Sequence, residues 1–191
     1  MVRLVLASAS TRRHALLAEL GVPFDVVPAA VAEVPLAHED PETFARRVAD
    51  AKVKAVAGRV PERWILAADT VVATDGLILG KPVDRRDARR MLRRLSGRTH
   101  RVCTAVILQS PGGRRALDDL ALTLVAFRPL TDGEIDAYVE TGEPGDKAGA
   151  YAIQGAAGGF VVNVEGSFSN VVGLPIELVA PALRRVGLLP S

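Results

Sequence analysis

Residues 3–21 read RLVLASASTRRHALLAELG, and the fold follows from how this stretch changes character. Residues 3–6 form an apolar run of the length of one short buried strand. Residues 7–10 (Ala-Ser-Ala-Ser) are small enough to turn sharply. From about Thr11 to Leu20 the apolar positions Ala15, Leu16 and Leu20 share one helical face, and Gly21 stops the helix. A strand that passes through a small-residue loop into a helix aims the free N–H groups of the first helical turn at the end of a sheet. Anions bind in that position.

The rest of the chain repeats the alternation of strand and helix, which predicts an α/β fold. Residues 24–27 read as a second strand. Asp40-Pro41 pairs an N-cap with a first-turn proline and opens a helix to about Ala57, with an apolar seam on Phe44, Val48, Ala51 and Ala55. Residues 64–72 form a buried strand that Thr74-Asp75-Gly76 turns into 77–79, a hairpin. Asp84 caps a helix with Ala88, Met91, Leu92 and Leu95 at i, i+3, i+4 and i+7. Two long strands, 100–108 and 116–127, are joined by Ser110-Pro111-Gly112-Gly113. Thr131 and Glu134 make a capping box for a short helix through Tyr138. Residues 142–159 are rich in Gly and Ala and carry no period. Residues 160–164 and 168–171 read as a closing hairpin, and Pro175 starts a terminal helix with Ile176, Val179, Leu183 and Val186 on its inner face.

Composition narrows the function classes. The 191 residues suffice for one medium domain, or for two lobes sharing a sheet. Hydrophobic residues make up 49% and charged residues 24%, the balance of a globular protein. No apolar run approaches the ~18 residues of a membrane span, and the short run in the N-terminal MVRLVLASAS falls below the ~7–15 of a signal-peptide core, so the expected compartment is the cytoplasm, with no membrane partner. Cys103 is the only cysteine and lies in an apolar run, which suits a buried small side chain and excludes an intramolecular disulfide. The pI near 9.0 reflects arginine dominance at a net charge of only +2. Acidic residues alternate with the arginines, as in VDRRDARRMLRRL, and aromatics are only 4%, so a nucleic-acid groove is not expected.

Three constellations could carry chemistry. In Ser8-Ala9-Ser10-Thr11-Arg12-Arg13, small residues admit a phosphate, Ser8 and Ser10 offer hydroxyls, and two arginines offer forked donors. It is neither a Walker A loop nor a dinucleotide fingerprint, and an ordinary N-cap beside exposed arginines reads equally well. Asp69-Thr70 ends an apolar strand, where a carboxylate suits a general base or metal ligand, or else a salt bridge. Lys81, after the hairpin, could return to the same place. Glu33, in the loop 28–39, could add a second hard oxygen ligand, or could be an exposed loop glutamate with no role. His14, His38 and His100 show no ligand spacing. In residues 142–155 Gln154 offers an amide that matches the imide edge of uracil or thymine, although a structural loop remains an open reading.

Taken in order, LASASTRRHALLAELG, LAADTVVATDGLILGKP, LSGRTHRVCTAV, YVETGEPGDKAGAYAIQG and EGSFSNVVGLP resemble the Maf family of nucleoside-triphosphate pyrophosphatases over almost the whole chain. The resemblance implies a single domain with two lobes on a long bent mixed sheet flanked by helices, similar to inosine-triphosphate pyrophosphatases. A nucleotide would lie in the cleft between the lobes with a divalent metal such as Mg²⁺, Mn²⁺ or Co²⁺. It implies Asp69 as proton acceptor, Ser8, Ser10, Arg13, Lys52 and Lys81 as substrate-binding residues, and Glu33 with Asp69 at the metal. Arg12, Thr70 and Gln154 resemble the branch acting on dTTP and UTP rather than the 7-methyl-GTP branch. Thr11 departs from the proline common in relatives. Modified pyrimidine nucleotides, the preferred metal and a homodimer stay open. A nucleotide-sensing regulator of cell division without catalysis is the alternative, against which the intact Asp69 and Lys81 argue.

Overall fold

The structure is a computed structural model that describes residues 3–190. Its elements run β1 (Leu4–Leu6), α1 (Thr11–Glu19), β2 (Phe24–Val26), α2 (Pro41–Ala57), β3 (Trp64–Thr74), β4 (Leu77–Leu79), α3 (Arg85–Leu95), β5 (Thr99–Gln109), β6 (Arg115–Phe127), α4 (Asp132–Glu140), three 3₁₀ turns (Glu143–Asp146, Ala148–Ala150 and Ala156–Phe160), β7 (Val161–Glu165), α5 (Phe168–Val172) and α6 (Ile176–Arg185). The caps expected from sequence are in place. Asp40 accepts from the N–H groups of Glu42 and Thr43, Asp84 accepts from that of Asp87, and Thr131 and Glu134 form the reciprocal capping box.

Seven strands form one mixed sheet in the order β2-β1-β3-β5-β6-β7, with β4 paired to β3. β1 lies parallel to β2 and β3, while β3, β5, β6 and β7 run antiparallel. β1 stops early. Its ladder with β3 covers Leu4–Leu6 against Trp64–Leu66, and Ala7 N–H adds a last bond to Leu66 O at 2.8 Å. β4 joins the same edge of β3 only from Val72 onward. Between these two partners β3 runs beside β5 alone, and Asp69 and Thr70 sit in that gap. The chain leaves β1 for α1 on one face and β2 for α2 on the other, so the gap lies at the carboxyl end of β1 where the strand order reverses, the position at which open α/β sheets bind ligands.

Helices cover both faces. On one, α2 packs Phe44, Val48, Val53 and Val56 against Ile65, Ala67, Val71, Ala105 and Ile107. The other face carries two apolar clusters. The first joins α1 and α6 to Leu66, Ala68, Val106 and Leu108; the second joins α3, α4 and the 3₁₀ turns to Val72, Val102, Val125 and Phe127. Side chains alternate along a strand, so Thr70 on β3 and Thr104 on β5 fall between the two clusters. The apolar core is therefore interrupted by hydroxyls at the position of the ladder gap. No helix among the described residues is long and apolar enough to cross a membrane.

The structure corrects three sequence expectations. The inner face of α1 is Arg13, Leu16 and Leu17, with Ala15 exposed. The inner face of α2 is Phe44, Ala45, Val48, Ala49, Lys52, Val53 and Val56, so Ala51 and Ala55 lie off it. In each helix a buried cation occupies the apolar stripe, and leaving the cation out rotates the inferred face. Residues 168–171 are not a strand. Ser167 caps a short helix by accepting from Asn170 N–H, and β7 pairs with β6 instead.

Much of the arginine excess is absorbed between α3 and α4, where Arg85, Arg89 and Arg93 pair with Glu140, Asp136 and Asp132 at 2.6, 2.5 and 2.7 Å. Each exposed pair contributes about 0.2–1 kcal/mol. His100 is 2% exposed, with Nε2 on Tyr151 OH at 2.9 Å and Nδ1 without a partner among the described residues. Burial holds its pKa down to about 4. The unfolded chain takes up this proton near pH 6.5 while the folded chain resists until about 4, so His100 withdraws stability as pH falls through that window. We predict that wild type loses about 3 kcal/mol more than His100→Gln between pH 6.5 and 4, measured by urea unfolding. Parallel pH profiles for the two proteins would refute this.

Candidate functional site

The loop 7–10 leaves the sheet where β1 ends, and Ser10 caps α1 by accepting from Arg13 N–H at 3.4 Å. The helix N-terminus therefore faces the ladder gap. Around it opens a cleft of about 540 Å³. Ser8, Ser10, Arg12, Arg13, Glu33, Lys52, Asp69, Thr70, Lys81 and Gln154 all line it, although they come from separate stretches of the chain. Asp146 and Lys147, which sequence reasoning had not assigned, line it too, and so do Gly173 and Tyr151. Five cationic side chains face three acidic ones, an excess that suits a polyanion.

Asp69 points to the α2 face of β3 and is 5% exposed. Its Oδ1 accepts from Lys52 Nζ at 2.7 Å, and the same ammonium lies 2.6 Å from Glu33 Oε1. Glu33 Oε2 in turn meets the more exposed Lys81 at 3.2 Å. One buried lysine thus holds two carboxylates from a strand and a loop. Their environments pull them apart. Burial pushes the Asp69 carboxyl above its usual range, and Lys52 and Arg13 offset this only in part. Burial also pushes Glu33 upward, but Lys52 and Lys81 outweigh it and hold it below the usual range. A proton-accepting carboxylate beside one kept ionised is the division of labour that acid–base sites use.

Thr70 points to the opposite face and meets Arg13. The Arg13 guanidinium is buried, donating from Nε to Gly173 O at 2.7 Å, from Nη1 to Ser8 Oγ at 3.3 Å and from Nη2 to Thr70 Oγ1 at 2.9 Å. Burial draws its pKa below that of a free guanidinium, partly countered by Asp69 and Glu33. Thr70 Oγ1 is also 2.9 Å from Thr104 Oγ1, whose proton goes to Asn170 O at 3.2 Å. Arg13 is therefore a fixed charge under the loop rather than a free arm, and the Thr70 hydroxyl is already engaged by protein groups.

The far wall is the segment 142–160. Gly149, at φ 70, lies over β3 with room for no side chain, since a Cβ would fall 2.9 Å from Val72 Cγ1. Its N–H reaches Gly80 O at 3.0 Å, tying this wall to the loop of Lys81. Lys147 Nζ is held by Asp146 and by Glu143 O, and Asp146 also faces Arg12 at 3.7 Å across the cleft mouth. Gln154 sits exposed at the rim. The signal for Lys147 was present in the sequence as a lysine within a Gly/Ala-rich run.

A family model described as Maf-like protein matches residues 3–186. Curated relatives named dTTP/UTP pyrophosphatase include proteins of Geobacter sulfurreducens (51% identical, covering 98% of both chains) and Anaeromyxobacter dehalogenans (54%, covering 97% of this chain and 94% of that one). One from Myxococcus xanthus is 51% identical over 97% of this chain and 93% of its own. Among solved structures, a nucleoside-triphosphatase / dITP/XTP pyrophosphatase from Mycobacterium abscessus is 19% identical. It covers 65% of this chain and 72% of that one, at a TM-score of 0.41.

The bridge makes a prediction about stability alone. Lys52→Met leaves Asp69 buried without its partner, which costs about 3–5 kcal/mol. Adding Asp69→Asn removes the orphaned charge and should recover at least half of that loss in urea unfolding. Strictly additive losses would mean that the two side chains are not coupled.

Proposed function

The chain belongs to the Maf family, and from that premise we propose that it hydrolyses dTTP and UTP to the nucleoside monophosphate and pyrophosphate. The observation that carries the proposal is the Glu33–Lys52–Asp69 bridge, set in a cleft with surplus positive charge beside a helix N-terminus. Similarity to relatives named for this activity supports the same reading.

The nucleotide lies in the cleft between two lobes, the first built on α1 and α6 and the second on α3, α4 and the 3₁₀ turns. The loop 7–10, with the hydroxyls of Ser8 and Ser10, receives phosphate oxygens at the start of α1. Lys81 reaches phosphate from the mouth, and Lys147 adds charge from the far wall. Arg13 and Lys52 act from beneath as buried charge that makes room for an anion. Asp69 accepts the proton of the attacking water. As the water oxygen bonds to the α-phosphorus, the bond to the bridging oxygen breaks and pyrophosphate leaves. Donors already in place at the leaving oxygens need no reorganisation at that moment.

A divalent cation fits the donor set. Among the described residues no cluster of three or more His, Cys, Asp or Glu side chains forms an all-protein cage. The two carboxylates of Glu33 and Asp69 are what Mg²⁺ takes when substrate phosphates and waters complete its shell, and Mn²⁺ or Co²⁺ accept the same oxygens. When bound, such an ion supplies charge neutralisation and acidifies water. Gln154 at the rim reads O4 and N3–H of thymine or uracil. Arg12 stands nearby, and Thr70 acts through Arg13. Modified pyrimidines with the same edge belong to the same substrate class. The nucleotide substrate and the single buried cysteine suit the cytoplasm.

Purified protein with dTTP and Mg²⁺ should yield dTMP and pyrophosphate, and chelation should abolish turnover. Nucleoside diphosphate and orthophosphate as main products would overturn the assignment. Asp69→Asn should lower kcat by about 10²–10⁴ in a folded protein. Near-normal turnover would remove Asp69 from the role of base. Gln154→Glu sets a carboxylate against O4, so kcat/KM for dTTP and UTP should fall about 5- to 150-fold relative to purine triphosphates. An unmoved ratio would mean that Gln154 does not read the base.

A further inference from the structure

Gln154 lies on a stretch with no strand or helix to hold it, and a hydrogen bond to a base is only as selective as its placement. Two side chains outside the cleft supply that placement. The Glu143 carboxylate accepts from Tyr138 OH through Oε1 at 2.8 Å and from Ala156 N–H through Oε2 at 3.2 Å. Tyr138 OH in turn accepts from Ala152 N–H at 3.1 Å. The turn between them is closed by Gly155 N–H on Ala152 O at 3.0 Å. Both ends of the turn that carries Gln154 are thereby fastened to one carboxylate–phenol pair.

The fit around this pair is close. A Cβ on Gly155 would fall 2.1 Å from Glu143 Oε1 and 2.5 Å from Oε2, so the carboxylate occupies the space a side chain would need. The Gly155 backbone, at φ −103, needs no glycine for its conformation, so the requirement is one of space alone. Tyr138 is 4% exposed, its ring packs edge-on to Phe160 at 5.3 Å, and burial together with Glu143 keeps its hydroxyl protonated. Neither Glu143 nor Tyr138 lines the cleft.

We infer that Glu143, acting with Tyr138, is a positioning residue for base selection, fixing the Ala152–Ala156 turn so that Gln154 meets the pyrimidine edge. This rests on the reading that Gln154 recognises the base. The pair touches no substrate and works through the backbone at Ala152 and Ala156. Glu143→Gln replaces one acceptor by an amide N–H₂. That group either opposes Ala156 N–H, donor against donor, or faces a phenol oxygen that already accepts from Ala152. Tyr138→Phe removes only the hydroxyl and keeps the ring packing.

The test measures kcat/KM for dTTP, UTP, dATP and GTP on wild type, Glu143→Gln, Tyr138→Phe, Gln154→Ala and the Glu143→Gln/Gln154→Ala double variant. Amide exchange at Ala152 and Ala156 is followed in parallel. Glu143→Gln and Tyr138→Phe should each lower the pyrimidine-to-purine ratio about 5- to 30-fold, through KM more than kcat, and speed exchange at both amides. The double variant should show no loss of ratio beyond Gln154→Ala alone. If Glu143→Gln fails to fold, Tyr138→Phe decides the matter by the same readouts. A wild-type ratio in the clasp variants, with Gln154→Ala collapsing it, overturns the positioning role and leaves the reading of Gln154 intact. An unmoved ratio in Gln154→Ala overturns that reading and this inference with it.

Discussion

A carboxylate buried in the middle of a strand cannot stay ionised without a counter-charge, and in this protein the counter-charge is Lys52. Meeting it constrains several levels of structure at once. Asp69 must share the parity of Ile65, Ala67 and Val71 on β3 so that it points toward α2, and Lys52 must lie on the inner stripe of α2, among Val48, Ala49, Val53 and Val56. The same ammonium draws Glu33 out of the loop 28–39, and Glu33 draws Lys81 from the far side of the hairpin. Four side chains spread over 49 residues are thus held by one chain of ion pairs. The gap between β1 and β4 along β3 leaves this chain open to a ligand.

The other face of the same strand repeats the arrangement with different chemistry. There the buried cation is Arg13, and its partners are neutral: Ser8, Thr70 and the carbonyl of Gly173. A guanidinium whose hydrogen bonds all go to neutral acceptors has its charge only partly offset by Asp69 and Glu33, which favours an anion above it. Thr70 and Thr104 separate the two apolar clusters on that face, so the hydroxyls that hold Arg13 also divide the core. The role proposed for Thr70 in base selection would therefore act through Arg13, which its hydroxyl already holds.

Helix starts and turns were legible because they are local. Asp40-Pro41, Asp84 and the Thr131/Glu134 box each satisfy N–H groups within a few residues, and the opening strand–loop–helix is set by the same local means, with Ser10 capping α1. The faces of α1 and α2 differ from the apolar periodicity for the same reason, since each inner stripe includes a cation that periodicity does not count. Only the partner across space, Asp69 or Gly173, makes a buried Lys52 or Arg13 affordable. The segment 142–160 was illegible for a related reason. Its fastenings run from Glu143 to Ala156, from Tyr138 to Ala152 and from Gly149 to Gly80, none of them a local periodicity. Residue chemistry alone singles out Ser8, Ser10, Arg13, Asp69, Lys81, Glu33 and Gln154 but leaves salt bridges and ordinary caps open, and Lys52 and the individual roles come only with the family resemblance.

In the proposed reaction water attacks the α-phosphorus, so that the bond to the pyrophosphate leaving group breaks. Turnover of dTTP in H₂¹⁸O, with the products separated and weighed by mass spectrometry, tests it without altering the protein. The account predicts one ¹⁸O in dTMP and none in pyrophosphate. Label in pyrophosphate, with unlabelled dTMP, would place the attack on the β-phosphorus and contradict it.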